Sequence, residues 1–307
     1  MEANIAKGQQ GGWVMAELML AIAIVMLLSA SLLPILLQTQ QSQQQQMTYL
    51  QSQTWVASFK DHLTAQWQRL VWQGCSLASN QMLSFGNMQR IKPTRITSKK
   101  VVAASDWLQA TDLGYCRTSQ TLSPTISFNS RCQWREGQAV RFSQCQNQYM
   151  GTVISSNKDQ QTIELALPSS LTFPLADTAE KTGILLSEEP YIWYLATGKS
   201  GQAAFWRTPM LSGNSLELWN GVQQIALYPL LDTDQDGKLD QLSTQYGDYS
   251  IAAVKAIWVE VMVSLDGCQS PTDVEPYEYL TFRGDVWPYF PPCHYISDFL
   301  VPLTYAE

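Results

Sequence analysis

From Trp13 to Leu37 the chain carries a single charged side chain, Glu17, in an otherwise apolar run. A helix of that length reaches about 37 Å at ~1.5 Å per residue, enough to cross the hydrocarbon core of a bilayer. The spacing and composition therefore predict a membrane span. A carboxylate inside such a span costs roughly 2.5 to 3.5 kcal/mol on insertion scales, so Glu17 calls for a function and a partner.

No Lys or Arg follows Lys7 until Lys60, so the partner of Glu17 is not a neighbour in sequence. Cleavage after Gly12 would create one, a cationic α-amine on Trp13, with Glu17 at the fifth mature position. An ordinary secretory signal has a shorter apolar region after a basic start and ends in a small-residue cut, which "LLSAS" only imitates. The Gly11–Gly12 pair, the lone acid and the continuing helical pattern resemble the class III leader of type IV prepilins and type II secretion pseudopilins. Trp13 stands where that family usually has Phe, and Pro34 falls where it often kinks its long helix. The resemblance implies cleavage by prepilin peptidase after Gly12, N-methylation of Trp13, and a role for Glu17 in subunit assembly.

Beyond the span lies a Gln-rich run without Pro or Gly, from Gln38, a composition that favours continued helix. Val56, Phe59, Leu63, Trp67 and Leu70 then recur at spacings of three and four, one face of an amphipathic helix that Gly74 would end. After Cys75 the period shifts toward two. "GQAVRFSQC", "GTVISS", "QTIELALP", "YIWYLATG", "QAAFWRTP", "QQIALYPL" and "AAVKAIWVEVMVSL" predict strands of a meandering antiparallel sheet. "VAASDWLQATDLG" has room for one short turn of helix. The expected architecture is α+β: a leader over 1–12, a transmembrane helix over 13–37, a stalk and amphipathic helix over 38–74, and a β-rich globular domain over 75–307.

Most of the chain resembles one narrower group. "WQGC", "MGTVISS", "YIWYLATG", "LWNGVQQIALYPLLDTDQDGKLDQL" and "AAVKAIWVEVMVS" fall in the order seen in PilW-type minor pilins. The chain is more distantly similar to J-type minor pseudopilins of type II secretion. The resemblance implies a type IV pilin-like fold, in which the long N-terminal helix packs on an antiparallel β-rich domain. It also implies a non-catalytic subunit that primes or caps a pilus, together with other minor and major pilins and an inner-membrane assembly platform. Such a subunit starts as a single-pass protein of the bacterial inner membrane with a periplasmic domain, then passes into the pilus at the cell surface. In a filament core, the amine of one subunit would neutralise the Glu17 of a neighbour, and a subunit entering out of register would leave both charges unpaired at a cost of several kcal/mol. A secretion pseudopilus and a tip adhesin or DNA-uptake subunit remain the alternatives.

Composition narrows the function classes. Nineteen Lys and Arg against 26 Asp and Glu give a net charge of −7, which offers no field for a nucleic-acid backbone. The two histidines, His62 and His294, sit in no metal-ligand motif, and there is no G-x-S-x-G, P-loop or G-x-G-x-x-G, so no enzyme is expected. Glu188 and Glu189 are adjacent and would face opposite sides of a strand, which suggests solvated charge. Most of the eleven Trp and thirteen Tyr are expected in the core, and exposed ones would favour an adhesin.

Six cysteines fit an oxidising compartment and admit fifteen pairings. "CQWREGQAVRFSQC" suggests a hairpin turning near "EGQ", with Cys132 close to Cys145. Cys268 and Cys293 share the C-terminal segment, which leaves Cys75 to Cys116; a Cys75–Cys145 link is the alternative. Last, "DTDQDGKLD" follows the D-x-D-x-D-G pattern of calcium loops. Asp232, Asp234 and Asp236 are candidate ligands, with the Lys238 carbonyl and Asp240, which binds directly or through water. Ser243 stands where an EF-hand has its bidentate Glu, and Asp248 is a candidate replacement. The competing reading is a solvated acidic turn between two strands.

Overall fold

The computed structural model describes residues 10–71, 81–113, 117–121, 125–127, 134–143, 148–157, 162–166, 182–234, 236–264, 275–291 and 293–303. One helix, α1 (Gln10–Trp67), runs unbroken through both the apolar and the Gln-rich stretches, with Pro34 inside it. A 3-10 turn, Gln68–Leu70, follows. The chain forms two compact units, Met1–Trp55 and Val56–Glu307, and the boundary falls within α1.

In the first unit, Met15–Gln40 is long and apolar enough to cross a membrane, and none of it is buried within the chain. Thr39, near the end of that stretch, donates its hydroxyl to the Ile35 carbonyl at 2.7 Å, so this polar group is satisfied by the helix itself.

In the second unit, the predicted helix face is the buried face: Val56, Phe59, Leu63, Trp67 and Leu70 are all in the core. Phe59 meets Phe205 and Phe299 edge-on at centroid distances of 5.6 and 6.2 Å, and Trp219 tilts against it at 5.8 Å. These three partners come from different strands, so one aromatic ties the helix to two sheets.

Among the described residues the strands, numbered in chain order, form three sheets and a hairpin in which every pairing is antiparallel. Sheet I runs β11 (Leu216–Asn220), β10 (Ala203–Pro209), β9 (Glu189–Thr197), β2 (Asp106–Asp112), β1 (Met82–Asn87), β14 (Gly247–Ser250). Sheet II runs β3 (Arg117–Thr121), β8 (Thr182–Ser187), β5 (Ala139–Ser143), β6 (Gln148–Asn157), β7 (Thr162–Ala166), β4 (Thr125–Ser127). Sheet III runs β13 (Gln241–Leu242), β12 (Val222–Leu231), β15 (Val254–Ser264), β18 (His294–Pro302), and the hairpin joins β16 (Tyr277–Leu280) to β17 (Val286–Tyr289).

All seven predicted strand segments are strands, yet they do not form one meander. Sheet II is an insertion between β2 and β9, which pair with each other across it. It has a core of its own in Val140, Phe142, Val153, Ile163, Leu165 and Leu185, from inward positions of its strands, with Trp134 from the segment before β5. The hairpin covers one face of sheet III, packing Trp287, Tyr279 and Tyr289 on Ala226, Tyr228 and Met262.

Two local expectations are corrected. "VAASDWLQATDLG" is not a helical turn: Asp106–Asp112 is the central strand β2, held between β1 and β9. Trp107, Leu108 and Ala110 are buried in the assembled sheet, so tertiary pairing overrides the local pattern. Glu188 is also not solvated. It is buried and paired with Arg141, whose Nε donates to its carboxylate. Glu189, half-buried, accepts from the Tyr191 hydroxyl at 2.7 Å.

The turn near "EGQ" is present, closed by Gln138 N–H to the Arg135 carbonyl at 3.1 Å with Gly137 at φ +78°. Cys293 is buried and disulfide-bonded. Cys75, Cys116, Cys132, Cys145 and Cys268, and with them the partner of Cys293, lie outside the described residues, as do residues 1–9 of the expected leader over 1–12.

Candidate functional site

Three clusters carry the chemistry of the described residues. The first is the start of α1. Gly12 and Trp13 lie within the helix, and Glu17 is exposed on it among exposed apolar neighbours, including Met15, Leu18, Met19 and Leu20. An acid on an apolar helix surface is stable in water but costly in lipid. The arrangement suits a group that acquires its counter-charge only when another molecule packs beside it.

The second cluster is the aspartate loop between β12 and β13. Asp232, directly after β12, is buried and held by Lys255 Nζ at 3.1 Å and by the Gly237 N–H at 3.0 Å. Gly237 adopts φ +88°, the left-handed conformation that turns the chain back. Asp234 accepts from the Asp236 N–H, and Asp240 accepts from both the N–H and hydroxyl of Thr233. Those bonds from Thr233 pull the Asp240 carboxyl below its ordinary range.

One carboxylate oxygen each from Asp232, Asp234 and Asp240 lies within 4.8 Å of the others. Hard carboxylate oxygens on a tight loop are the donors calcium takes, so these three fit a metal. Of the other candidate carboxylates, neither Asp236 nor Asp248 is gathered with them. Asp236 accepts from the Lys238 N–H at 2.8 Å and pairs with Lys238 Nζ at 3.3 Å. Ser243 bonds the Tyr249 hydroxyl at 2.8 Å, and Asp248 is exposed on β14. Lys255 already places one positive charge at the buried end of the loop, so part of the acids' mutual repulsion is cancelled from within.

The third cluster was not visible in the sequence. Arg283, in the turn of the hairpin, lies between the rings of Tyr246 and Tyr228 at 4.0 and 4.6 Å. Its Nη1 meets Asp106 Oδ2 at 2.8 Å, its Nη2 the Leu227 carbonyl at 2.9 Å, and its Nε the Thr244 carbonyl at 2.9 Å. Asp106 further accepts from Asn87 Nδ2, the Tyr246 hydroxyl and the Leu227 N–H at 3.1, 2.9 and 2.8 Å. Burial pushes the Asp106 carboxyl upward, against the opposing pull of Arg283 and the Leu227 N–H. Beside it, buried Glu260 accepts from the Tyr228 and Tyr279 hydroxyls and from the Phe282 N–H. Sheet I, sheet III and the hairpin thus share one hydrogen-bonded network. Such a network immobilises the groups that form it. The one sequence signal for it is that Arg283 is the sole Lys or Arg after Lys255, set among acids and aromatics.

The histidines pack. His62 lies 5.4 Å from the Trp219 ring, and burial, then Arg207 and Arg69, push it toward the neutral form. Nearby, Asp112 is fully buried and pairs with Arg69 at 3.0 Å, with Arg207 3.7 Å away. His294 accepts the Phe290 N–H at 3.3 Å, and burial lowers it too. Every Trp whose side chain is described is buried or half-buried. Comparison with protein-family models, with curated proteins and with solved structures finds no match.

Proposed function

We propose that this protein is a PilW-type minor pilin that primes or caps a type IV pilus, entering the filament through its N-terminal helix. The observation that carries the proposal is α1 itself. It joins a span-length apolar surface bearing one acid near its start to a second half whose apolar face is built into a β-rich unit. A free-standing anchor has no use for Glu17, whereas a helix packed among its relatives does, because a neighbour's α-amine would neutralise the carboxylate and set the register.

On this proposal prepilin peptidase cuts after Gly12, Trp13 becomes the methylated N-terminus, and the protein waits in the inner membrane before assembly with other pilins on the platform. The globular unit contributes shape and stability and carries out no catalysis. Calcium held by Asp232, Asp234 and Asp240 would tie the β12–β13 connection together outside the cytoplasm. Among the described residues no indole is exposed, which gives an adhesive tip less support than a structural subunit, while exposed Tyr277 and Phe282 are aromatics that favour the adhesin.

The test is N-terminal sequencing of the mature protein together with Glu17→Leu. The mature chain should begin at Trp13, and Glu17→Leu should be cleaved and inserted normally while its cross-links to neighbouring subunits, and piliation, fall. A mature start at Met1 or Ser31, or unchanged cross-linking in Glu17→Leu, overturns the proposal. The identity of the cross-linked subunits separates a pilus from a type II secretion pseudopilus.

A further inference from the structure

The β16–β17 hairpin presents an unusual outer surface. Its inward side chains, Tyr279 and Trp287, pack on sheet III, while Leu280 and Val286, opposite each other in the ladder, are 66% and 51% exposed. Phe282 at the turn is 56% exposed and stacks on Trp258, which is itself paired in register with Leu300 of β18. Apolar groups that touch one another at the surface of a soluble unit mark an interaction site more often than scattered ones do. The surface is also preformed: Arg283 and the Phe282 N–H, both in the turn, are locked to Asp106 and Glu260, so little ordering remains for binding to oppose.

Among the described residues, the exposed charges of the hairpin segment and of β18 are acidic. Glu275, Glu278 and Asp298 are exposed and Asp285 is partly so, while the only base of this segment, Arg283, is turned inward. An anionic lipid surface would be repelled by that rim. In a two-fold contact between copies, the same acids would face each other.

We propose that the outer face of the β16–β17 hairpin, with Phe282 and Leu300, docks a partner protein through a segment whose apolar side chains are flanked by Lys or Arg. The apolar centre supplies the contact area, and the acidic rim selects partners by charge and speeds their encounter. This inference rests on the surface alone and holds whichever machine the subunit serves.

The experiment is in-cell photo-cross-linking of the full chain with p-benzoylphenylalanine at Leu280, and at exposed Leu211 as the control position. The expected result is an adduct to a different protein from Leu280 but not from Leu211, whose cross-linked peptide, sequenced by mass spectrometry, holds apolar residues next to Lys or Arg. Phe282→Ser, and separately Glu278→Lys with Asp298→Lys, should each lower the adduct yield by ~fivefold or more. The charge variant alters only exposed positions, so it tests the surface even if Phe282→Ser loosens the hairpin. No adduct at Leu280, an adduct to lipid or to a second copy, a cross-linked peptide without a base, or a yield indifferent to the charge variant each overturns the proposal.

Discussion

Replacing Arg283 with Met removes the guanidinium from the centre of the buried network and keeps most of the aliphatic volume. Asp106 then loses a charged donor at 2.8 Å while remaining almost wholly enclosed, and the Leu227 and Thr244 carbonyls lose theirs. Removing one partner of a buried ion pair costs roughly 3–5 kcal/mol, because the other charge stays behind without compensation. In a unit of this size each kcal/mol lowers Tm by about 2–4 °C, so a fall on the order of 10 °C near neutral pH is expected. The deficit should depend on pH in a definite direction. Burial already raises the folded carboxyl above its ordinary 3.8, and losing Arg283, which pulls it down, raises it further. A raised folded value means that the native chain keeps a proton that the unfolded chain has released, so protonation favours the fold as pH falls through that window. The difference between variant and wild type should therefore shrink as the pH is lowered from neutral toward the ordinary carboxylate range. Thermal unfolding of the full chain in detergent, followed by tryptophan fluorescence at a series of pH values, measures both effects. A variant that melts with the wild type at neutral pH, or whose deficit grows on acidification, refutes this account of the network.

Phe59→Ala should cost about 3–5 kcal/mol, since it empties a site bounded by Phe205, Trp219 and Phe299, and chemical denaturation should show the loss as a lower midpoint. Lys255→Met should destabilise the aspartate loop by about 1–3 kcal/mol by removing the ammonium from buried Asp232. Millimolar calcium should recover much of that loss, and should no longer do so once Asp234→Ala and Asp240→Ala are added; calorimetry with calcium and the same melting assay read both, and indifference to calcium leaves an acidic turn.

What the sequence revealed, and what it hid, follows the range of the interactions involved. The helix face from Val56 to Leu70 obeys a period set within one turn, and all five predicted residues are buried. The seven strands read from alternation are strands for the same local reason. Sheet membership is not local, so the insertion of sheet II and the pairing of β2 with β9 left no trace in the pattern. Asp106 looked like part of a helical turn because its partner Arg283 is 177 positions away. Glu188 looked solvated because Arg141, which neutralises it, sits on another strand. In the aspartate loop the motif correctly located Gly237 and three clustered acids, but spacing alone could not show that Asp236 faces Lys238 or that Lys255 reaches in from β15.

The inserted sheet bears on how the chain finds its fold. Joining β2 to β9 closes a loop of about 75 residues, from Asp112 opposite Glu189, and such long-range closure slows folding. The ladder of β3 with β8 opens just beyond, at Arg117 opposite Leu186, so once sheet II has collapsed on its own core the two ends of the loop are already side by side. The search for β9 then resembles the closing of a short hairpin. By the logarithmic dependence of closure entropy on length, that saving is about 2 kcal/mol. Sheet II is thus a kinetic scaffold as well as a lobe: a lesion such as Trp134→Ala, in the core of sheet II, would delay sheet I's assembly and lengthen the time the apolar strand β9 spends without its partner β2.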